Sequence, residues 1–253
     1  MAEVLVKARG LTRDFRGFRA VDGVDLDVAE GAVHALVGPN GAGKTTLFNL
    51  LTGFLAPSSG SVSIGGTETS RLRADQIAAL GVARSFQITS LFEQLTCREH
   101  VELALQARTS LGYRFWRSRR LLDRFRDRAD ELLAEVGLTA LAGTVADQLA
   151  YGQKRALELA VVLAREPRLM LLDEPTAGMG LEDVSRTVEL VKRVRGGRTV
   201  VLIEHNMKVV GELADTVSVL QRGQLLAEGP YEQVRSDPAV IAAYLGDVDA
   251  QSH

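Results

Sequence analysis

Nine consecutive residues carry the strongest chemical signal in the chain. Gly38, Pro39, Asn40, Gly41, Ala42, Gly43, Lys44 and Thr45 fit the pattern G-x-x-x-x-G-K-[ST], and Thr46 follows. Glycines let a backbone curl until several N–H groups point at one anion, and the positive end of a following helix adds to that field. Lys44 puts a cation against the outer phosphates of a nucleotide, and Thr45 offers a hydroxyl to Mg²⁺. A plain glycine-rich hairpin turn is the bland alternative. It fits less well, because a buried strand pattern precedes the loop and a helical pattern follows it. A second signal lies at residues 169–174, where Asp173 and Glu174 end an apolar run. In open parallel sheets that strand edge is where ligands bind. Asp173 there can hold Mg²⁺, directly or through water, and Glu174 can polarise a water against a terminal phosphate. Two acids at a strand end are as often merely solvated; beside a phosphate loop they read as functional.

These residues need elements to position them. Residues 4–8 and 24–28 alternate apolar and polar side chains, as half-buried strands do, and residues 32–37 are apolar enough for a strand buried on both faces. A helix follows the glycine-rich loop and ends near Gly53. Residues 57–60 suit a turn, 61–66 a strand, 74–80 a short helix and 82–86 a strand. Residues 98–137 carry a helical pattern without proline. Beyond them the pattern gives a helix over 153–165, a strand over 168–174 and a helix over 181–194. Strand 199–203, helix 206–214 and strands 216–220 and 225–229 follow, and the residues from 248 onward look loose and polar. Apolar strands alternating with helices imply an α/β protein with a mainly parallel sheet covered on both faces.

Composition excludes several classes. Hydrophobic residues make up 46% and charged residues 25% of 253, which suits a folded protein and not a disordered one. Thirty Lys and Arg against 32 Asp and Glu leave a net charge of −2, so no global field points at nucleic acid or an anionic membrane. One cysteine, Cys97, cannot close an internal disulfide, and it reads as a small core residue. The first ten residues have no signal-peptide pattern, and no apolar run approaches the roughly 20 residues of a membrane span. Residues 108–128 hold eight arginines and two aspartates. Its part from 114 to 128 is a solvated helix face, a contact for a membrane protein or anionic headgroups, or a nucleic-acid patch, in falling order of preference. His34 and His100 have no partners at metal-ligand spacing.

A third motif, Leu149-Ala150-Tyr151-Gly152-Gln153, stands just before a helical pattern. With it the chain resembles the ATP-binding-cassette (ABC) ATPases, whose signature at this place is most often Leu-Ser-Gly-Gly-Gln. The resemblance runs from about Val4 to Leu245. Gln87, in Arg-Ser-Phe-Gln, matches the family's glutamine loop, His205 its switch histidine, and Phe15 its adenine-stacking aromatic. Within the family, the Leu-Ala-Tyr-Gly-Gln variant, the arginine-rich insert and the tail around Tyr244 resemble the ATPase subunit of branched-chain amino acid importers. ATPases of amide or urea importers and of lipid-type exporters share the catalytic residues and stay open as alternatives.

The resemblance implies a P-loop NTPase (RecA-like) core with a mainly parallel sheet, an N-terminal antiparallel β part and an inserted helical subdomain. It assigns residues 1–90 and 160–246 to the ATP-binding core, 91–159 to the helical signature subdomain and 247–253 to a flexible tail. It implies ATP and Mg²⁺ as ligands. Two such chains, as a homodimer or a paralogous heterodimer, sandwich two ATP molecules, with the phosphate loop of one facing Tyr151, Gly152 and Gln153 of the other. Phe15 stacks on adenine, a contact of about 1–3 kcal/mol by analogy with base stacking. Residues 38–46 hold the phosphates, and Thr45, Gln87 and Asp173 serve Mg²⁺. Glu174 orients or deprotonates the water, and His205 contacts the γ-phosphate. The implied partners are transmembrane permease subunits, a second cassette and, indirectly, a substrate-binding protein; no nucleic acid is among them. The implied location is peripheral, on the cytoplasmic face of the membrane. A ribosome- or DNA-directed cassette ATPase usually carries two cassettes or a long coiled coil, which this chain lacks. A binding-only regulatory module would not need both Glu174 and His205.

Two departures stand out. Ala150 replaces the usual serine, removing a hydroxyl worth roughly 1.5–3 kcal/mol if charge-assisted. Gly180, in Ala177-Gly178-Met179-Gly180, lacks the aspartate that relatives send across to the partner.

Overall fold

Runs rich in β-branched and aliphatic residues, broken only by His34 in mid-strand, form the strands that carry the site. Val33–Val37 (β3), Leu169–Asp173 (β7) and Thr199–Ile203 (β8) are buried at all five positions each. In the computed structural model, residues 3–85, 91–108 and 119–250 are described, with side chains for all but 108, 119–124 and 245–250. By contacts they divide into two compact units: residues 1–84, 168–175 and 197–253, and residues 85–167 and 176–196.

The first unit holds two sheets. Val4–Phe15 (β1), Phe18–Ala29 (β2), Ser59–Ile64 (β4) and Thr67–Glu68 (β5) form an antiparallel sheet in the order β2-β1-β4-β5. Val82–Arg84 (β6), Thr216–Gln221 (β9) and Gln224–Gly229 (β10) join β3, β7 and β8 in the order β10-β9-β3-β8-β7-β6. Every pairing in this sheet is parallel except β9 with β10. The mainly parallel core and the N-terminal antiparallel part are therefore as the sequence implied. Lys44–Leu51 (α1) contributes Leu47, Phe48, Leu50 and Leu51 to one apolar cluster that also takes in Val6, Leu11, Leu26 and Val62 of the antiparallel sheet and Leu36, Leu171 and Val201 of the parallel one. The unit also carries Ala74–Ala79 (α2) and, later in the chain, three further helices named below.

The second unit is helical: Cys97–Arg108 (α3), Arg119–Glu135 (α4), Tyr151–Leu163 (α5) and Leu181–Val194 (α6). It differs from the division implied by the resemblance in that α6 groups with it. A boundary at residue 160 would also cut α5 in mid-run.

Several local differences have simple causes. β1 runs to Phe15 instead of stopping near residue 8, because Gly10, at φ 54°, absorbs an irregularity in register and lets the strand continue. α5 starts two residues earlier than the pattern suggested. Met207–Leu213 (α7) is followed after β10 by Tyr231–Arg235 (α8) and Pro238–Ala250 (α9), neither of which the periodicity revealed. Proline opens α9, where its missing N–H costs nothing. The stretch read as loose from residue 248 is helical as far as Ala250. Among the described residues no helix is long and apolar enough to cross a membrane.

Candidate active site

The phosphate loop begins where β3 ends. Gly38, Gly41 and Gly43 all have positive φ, at 146°, 76° and 101°. Two of them are walled in as well. A Cβ on Gly38 would overlap the carbonyl oxygen of Leu220, and one on Gly43 would overlap that of Ala20. The Arg222–Gly223 turn between β9 and β10 braces the loop: Gly223 N–H donates to Ala42 O at 2.9 Å, and Asp22 N–H donates to Gly223 O at 2.8 Å. Gly43 caps the N-terminus of α1 with no side-chain acceptor, so the first N–H groups of that helix face outward with its positive end. The curl brings Lys44 back over its own loop, where Nζ donates to Gly38 O at 2.6 Å and Pro39 O at 2.9 Å. Pro39 is part-buried, and Asn40, Thr45 and, to a lesser degree, Thr46 are open to solvent. From the C-terminal side of the unit, α9 brings Tyr244 to the Gly38 backbone; burial still pushes its phenol up.

The acidic strand end lies two strands away. β8 sits between β3 and β7, and all three are parallel, so their carboxyl ends share one edge. Asp173, 2% exposed, closes β7. Glu174 follows in the left-handed region at φ 47°, a conformation that costs about 1–3 kcal/mol for a non-glycine residue and is held by Glu174 N–H donating to Ile203 O at 3.0 Å. Its Oε1 lies 2.7 Å from Nε2 of His205, just beyond β8. With the proton on Nε2, the imidazole donates to the carboxylate. Glu204, 3% exposed, steadies this turn: its Oε2 accepts from His205 N–H at 3.1 Å and Asn206 N–H at 3.3 Å.

The same unit carries Phe15 at the tip of the β1–β2 hairpin, 39% exposed, with the Arg13 guanidinium 4.7 Å from its ring centroid. The structure thus brings Phe15, residues 38–46, Asp173, Glu174 and His205 into one unit. Gln87 lies outside the described residues, as do residues 109–118 of the arginine-rich insert.

Tyr151, Gly152 and Gln153 form the first turn of α5 in the other unit. Ala150 is its N-cap and Gly180 the N-cap of α6, and neither supplies a side-chain acceptor. Both departures from the family pattern therefore remove an oxygen from a helix N-cap, a change worth typically about 1 kcal/mol for alanine and less for glycine. Compensation is visible at each. Gln153 Oε1 accepts from Ala150 N–H at 2.9 Å, and Glu182 and Asp183 stand in the first turn of α6. The Tyr151 hydroxyl donates to Ala177 O at 3.0 Å and accepts from Arg155 Nη2 at 3.0 Å, while Arg155 Nη1 donates to Glu158 at 2.9 Å. Burial pushes the Glu158 carboxyl up, and Arg155 offsets this only in part.

Arg84 is a site-side residue that motif reading did not single out. Its Nη2 donates to Asp173 Oδ2 at 2.8 Å. An arginine closing an apolar strand was the available signal; its partner lies 89 residues away. The donor set fits Mg²⁺: the Thr45 hydroxyl at the start of α1 and the Asp173 carboxylate are hard oxygen ligands.

The chain is similar to known proteins along most of its length. The ABC transporter family model matches residues 21–177, and a model for branched-chain amino acid ATP-binding cassette transporters matches residues 224–250. The high-affinity branched-chain amino acid transport ATP-binding protein BraF of Pseudomonas aeruginosa is 40% identical over 98% of this chain and 100% of its own length. The crystal structure of the ADP conformation of MJ1267, an ATP-binding cassette of an ABC transporter, superposes with a TM-score of 0.86 at 27% identity, covering 97% of this chain and all of that one. A dimeric post-hydrolysis structure of the cassette MJ0796 with ADP and Pi gives 0.76 at 27% identity over 90% and 99% of the two chains. With a family match across more than half its length and a relative aligned nearly end to end, the chain belongs to the ABC transporter family, as one of its ATP-binding ATPase subunits.

Proposed function

We propose that this subunit hydrolyses ATP to energise uptake of branched-chain or other hydrophobic amino acids through partner permeases at the cytoplasmic face of the membrane. The observation that carries the hydrolytic part is the 2.7 Å pair of Glu174 and His205 at the sheet edge shared with the phosphate loop. The relative BraF and the tail match at residues 224–250 support the cargo class.

In this reading Phe15 stacks on adenine, and the N–H groups of residues 38–46 cradle the phosphates. Lys44 exchanges the Gly38 and Pro39 carbonyls for phosphate oxygens, so the loop is pre-curled and little rearrangement is needed. Thr45, Asp173 and Gln87 would hold Mg²⁺, which would supply positive charge against the phosphates. Glu174 takes a hydrogen bond or a proton from the attacking water. The water oxygen bonds to the γ-phosphorus as the bridge to the β-phosphate breaks and the electron pair leaves on ADP. His205 fixes the Glu174 carboxylate and stabilises charge on the transferred group. The N–H groups at the start of α5 serve the partner cassette's phosphates. The dimeric structure of MJ0796 supports a second cassette as partner.

Glu174→Gln tests the hydrolytic reading. It keeps shape and hydrogen bonding but cannot take a proton, so ATP binding stays and turnover stops. Wild-type turnover by this variant removes Glu174 from the role. Transport by the reconstituted complex, assayed with a panel of amino acids and amides, tests the cargo class.

A further inference from the structure

Asp173 is a buried carboxylate, and a buried charge needs a partner. Its partner is Arg84, at the end of the neighbouring strand β6, whose side chain is only 11% exposed. The guanidinium is held on several sides. Nη2 donates to Asp173 Oδ2 at 2.8 Å, Nη1 donates to the Asn49 side chain of α1, and the cation lies 5.1 Å from the Phe48 ring centroid and 5.7 Å from that of Phe54. Nε is buried with no hydrogen-bond partner among the described residues. A buried ion pair with an unsatisfied N–H is a poor way to gain stability, since an apolar pair of equal volume often does as well or better. What the arrangement supplies is direction. The planar fork ties Asp173 of β7 to Asn49 of α1, the helix whose first residues are Lys44 and Thr45.

We infer that Arg84 is a positioning residue for the metal site: by gripping Oδ2 and bracing on α1, it sets the direction in which Asp173 presents its other oxygen to Mg²⁺. The inference rests on the reading of Asp173 as a metal-side residue. Removing a residue that hydrogen-bonds and orients a metal ligand in this way usually costs about 10–100-fold in metal affinity.

The test measures Mn²⁺ affinity by electron paramagnetic resonance, on full-length protein loaded with AMP-PNP, for wild type, Arg84→Met, Arg84→Lys and Asp173→Asn. Nucleotide affinity in EDTA is measured alongside. Arg84→Met weakens Mn²⁺ binding by about tenfold or more and leaves metal-free AMP-PNP affinity within about twofold. Arg84→Lys keeps the charge but loses the fork, so it weakens Mn²⁺ by a smaller factor. It carries the test alone if Arg84→Met does not fold. Unchanged Mn²⁺ affinity in the arginine variants, with Asp173→Asn weakened, overturns the inference and leaves the site reading standing. Unchanged Mn²⁺ affinity in Asp173→Asn overturns the site reading itself. A metal-free nucleotide affinity that falls in step with Mn²⁺ affinity makes Arg84 a general structural brace and also overturns the inference.

Discussion

Replacing Gly43 and Gly41 separately by alanine measures how the phosphate loop holds its curl. Both glycines have positive φ, 101° and 76°, so each alanine pays a backbone strain of about 1–3 kcal/mol. They differ in what a Cβ meets. At Gly41 there is nothing within 4 Å, whereas at Gly43 the new atom overlaps the Ala20 carbonyl and sits 3.4 Å from Gly223 Cα. Both of those neighbours are backbone, fixed by β2 and by the turn that hydrogen-bonds to Ala42, and neither can rotate away. Overpacking of that kind adds about 1–3 kcal/mol. Gly43→Ala should therefore lose about 2–6 kcal/mol of unfolding free energy and Gly41→Ala about 1–3 kcal/mol. Urea titration of both variants gives the difference directly. Relief of the overlap must move the loop, so ATP affinity in Gly43→Ala should fall by about tenfold or more, equivalent to about 1.4 kcal/mol. Equal destabilisation by the two substitutions, or wild-type affinity in Gly43→Ala, would refute the claim that the backbone wall at Ala20 shapes the loop.

Two further outcomes follow from other parts of the molecule. His34 is buried in β3, its Nε2 2.7 Å from Ser218 Oγ, which donates in turn to Glu228; burial lowers its pKa to about 4 from an ordinary value of 6.5. The unfolded chain therefore binds more protons than the folded one between these two values, and stability is lost as pH falls through that window, by up to about 3 kcal/mol in total. Urea titrations between neutral pH and pH 4 should show this slope in the wild type and a smaller one in His34→Gln; equal slopes contradict it. Tyr151→Phe removes a hydroxyl that joins Ala177 to Arg155, so it should cost about 1–2 kcal/mol of stability. A double-mutant cycle with Arg155→Met should return a coupling energy clearly above zero, and additivity would mean the shared hydrogen bond contributes nothing.

Much of the site was legible because its chemistry is local in the chain. The phosphate loop, the Asp173–Glu174 strand end and the helix at Tyr151 each combine residue types and spacing within a few positions. What stayed hidden depends on contacts between distant segments. Nothing near Arg84 in the sequence names Asp173, 89 positions on, and nothing near Tyr151 names Ala177. The walls that make Gly38 and Gly43 obligatory come from Leu220 and Ala20, on strands β9 and β2. Strand β1 looked short because Gly10 breaks the alternation without breaking the strand. Helix α9 escaped notice because its apolar residues show little helical periodicity. The two departures from the family signature were plain in the sequence, but their place at the N-caps of α5 and α6 needed the fold.

A structure of the protein with magnesium and a non-hydrolysable ATP analogue is the most direct test of the account. It should show Lys44 Nζ turned from the Gly38 and Pro39 carbonyls onto the terminal phosphates, the metal beside the Thr45 hydroxyl, and Glu174 facing a solvent molecule at the γ-phosphate. A triphosphate bound elsewhere, with Lys44 still on its own loop, would contradict it.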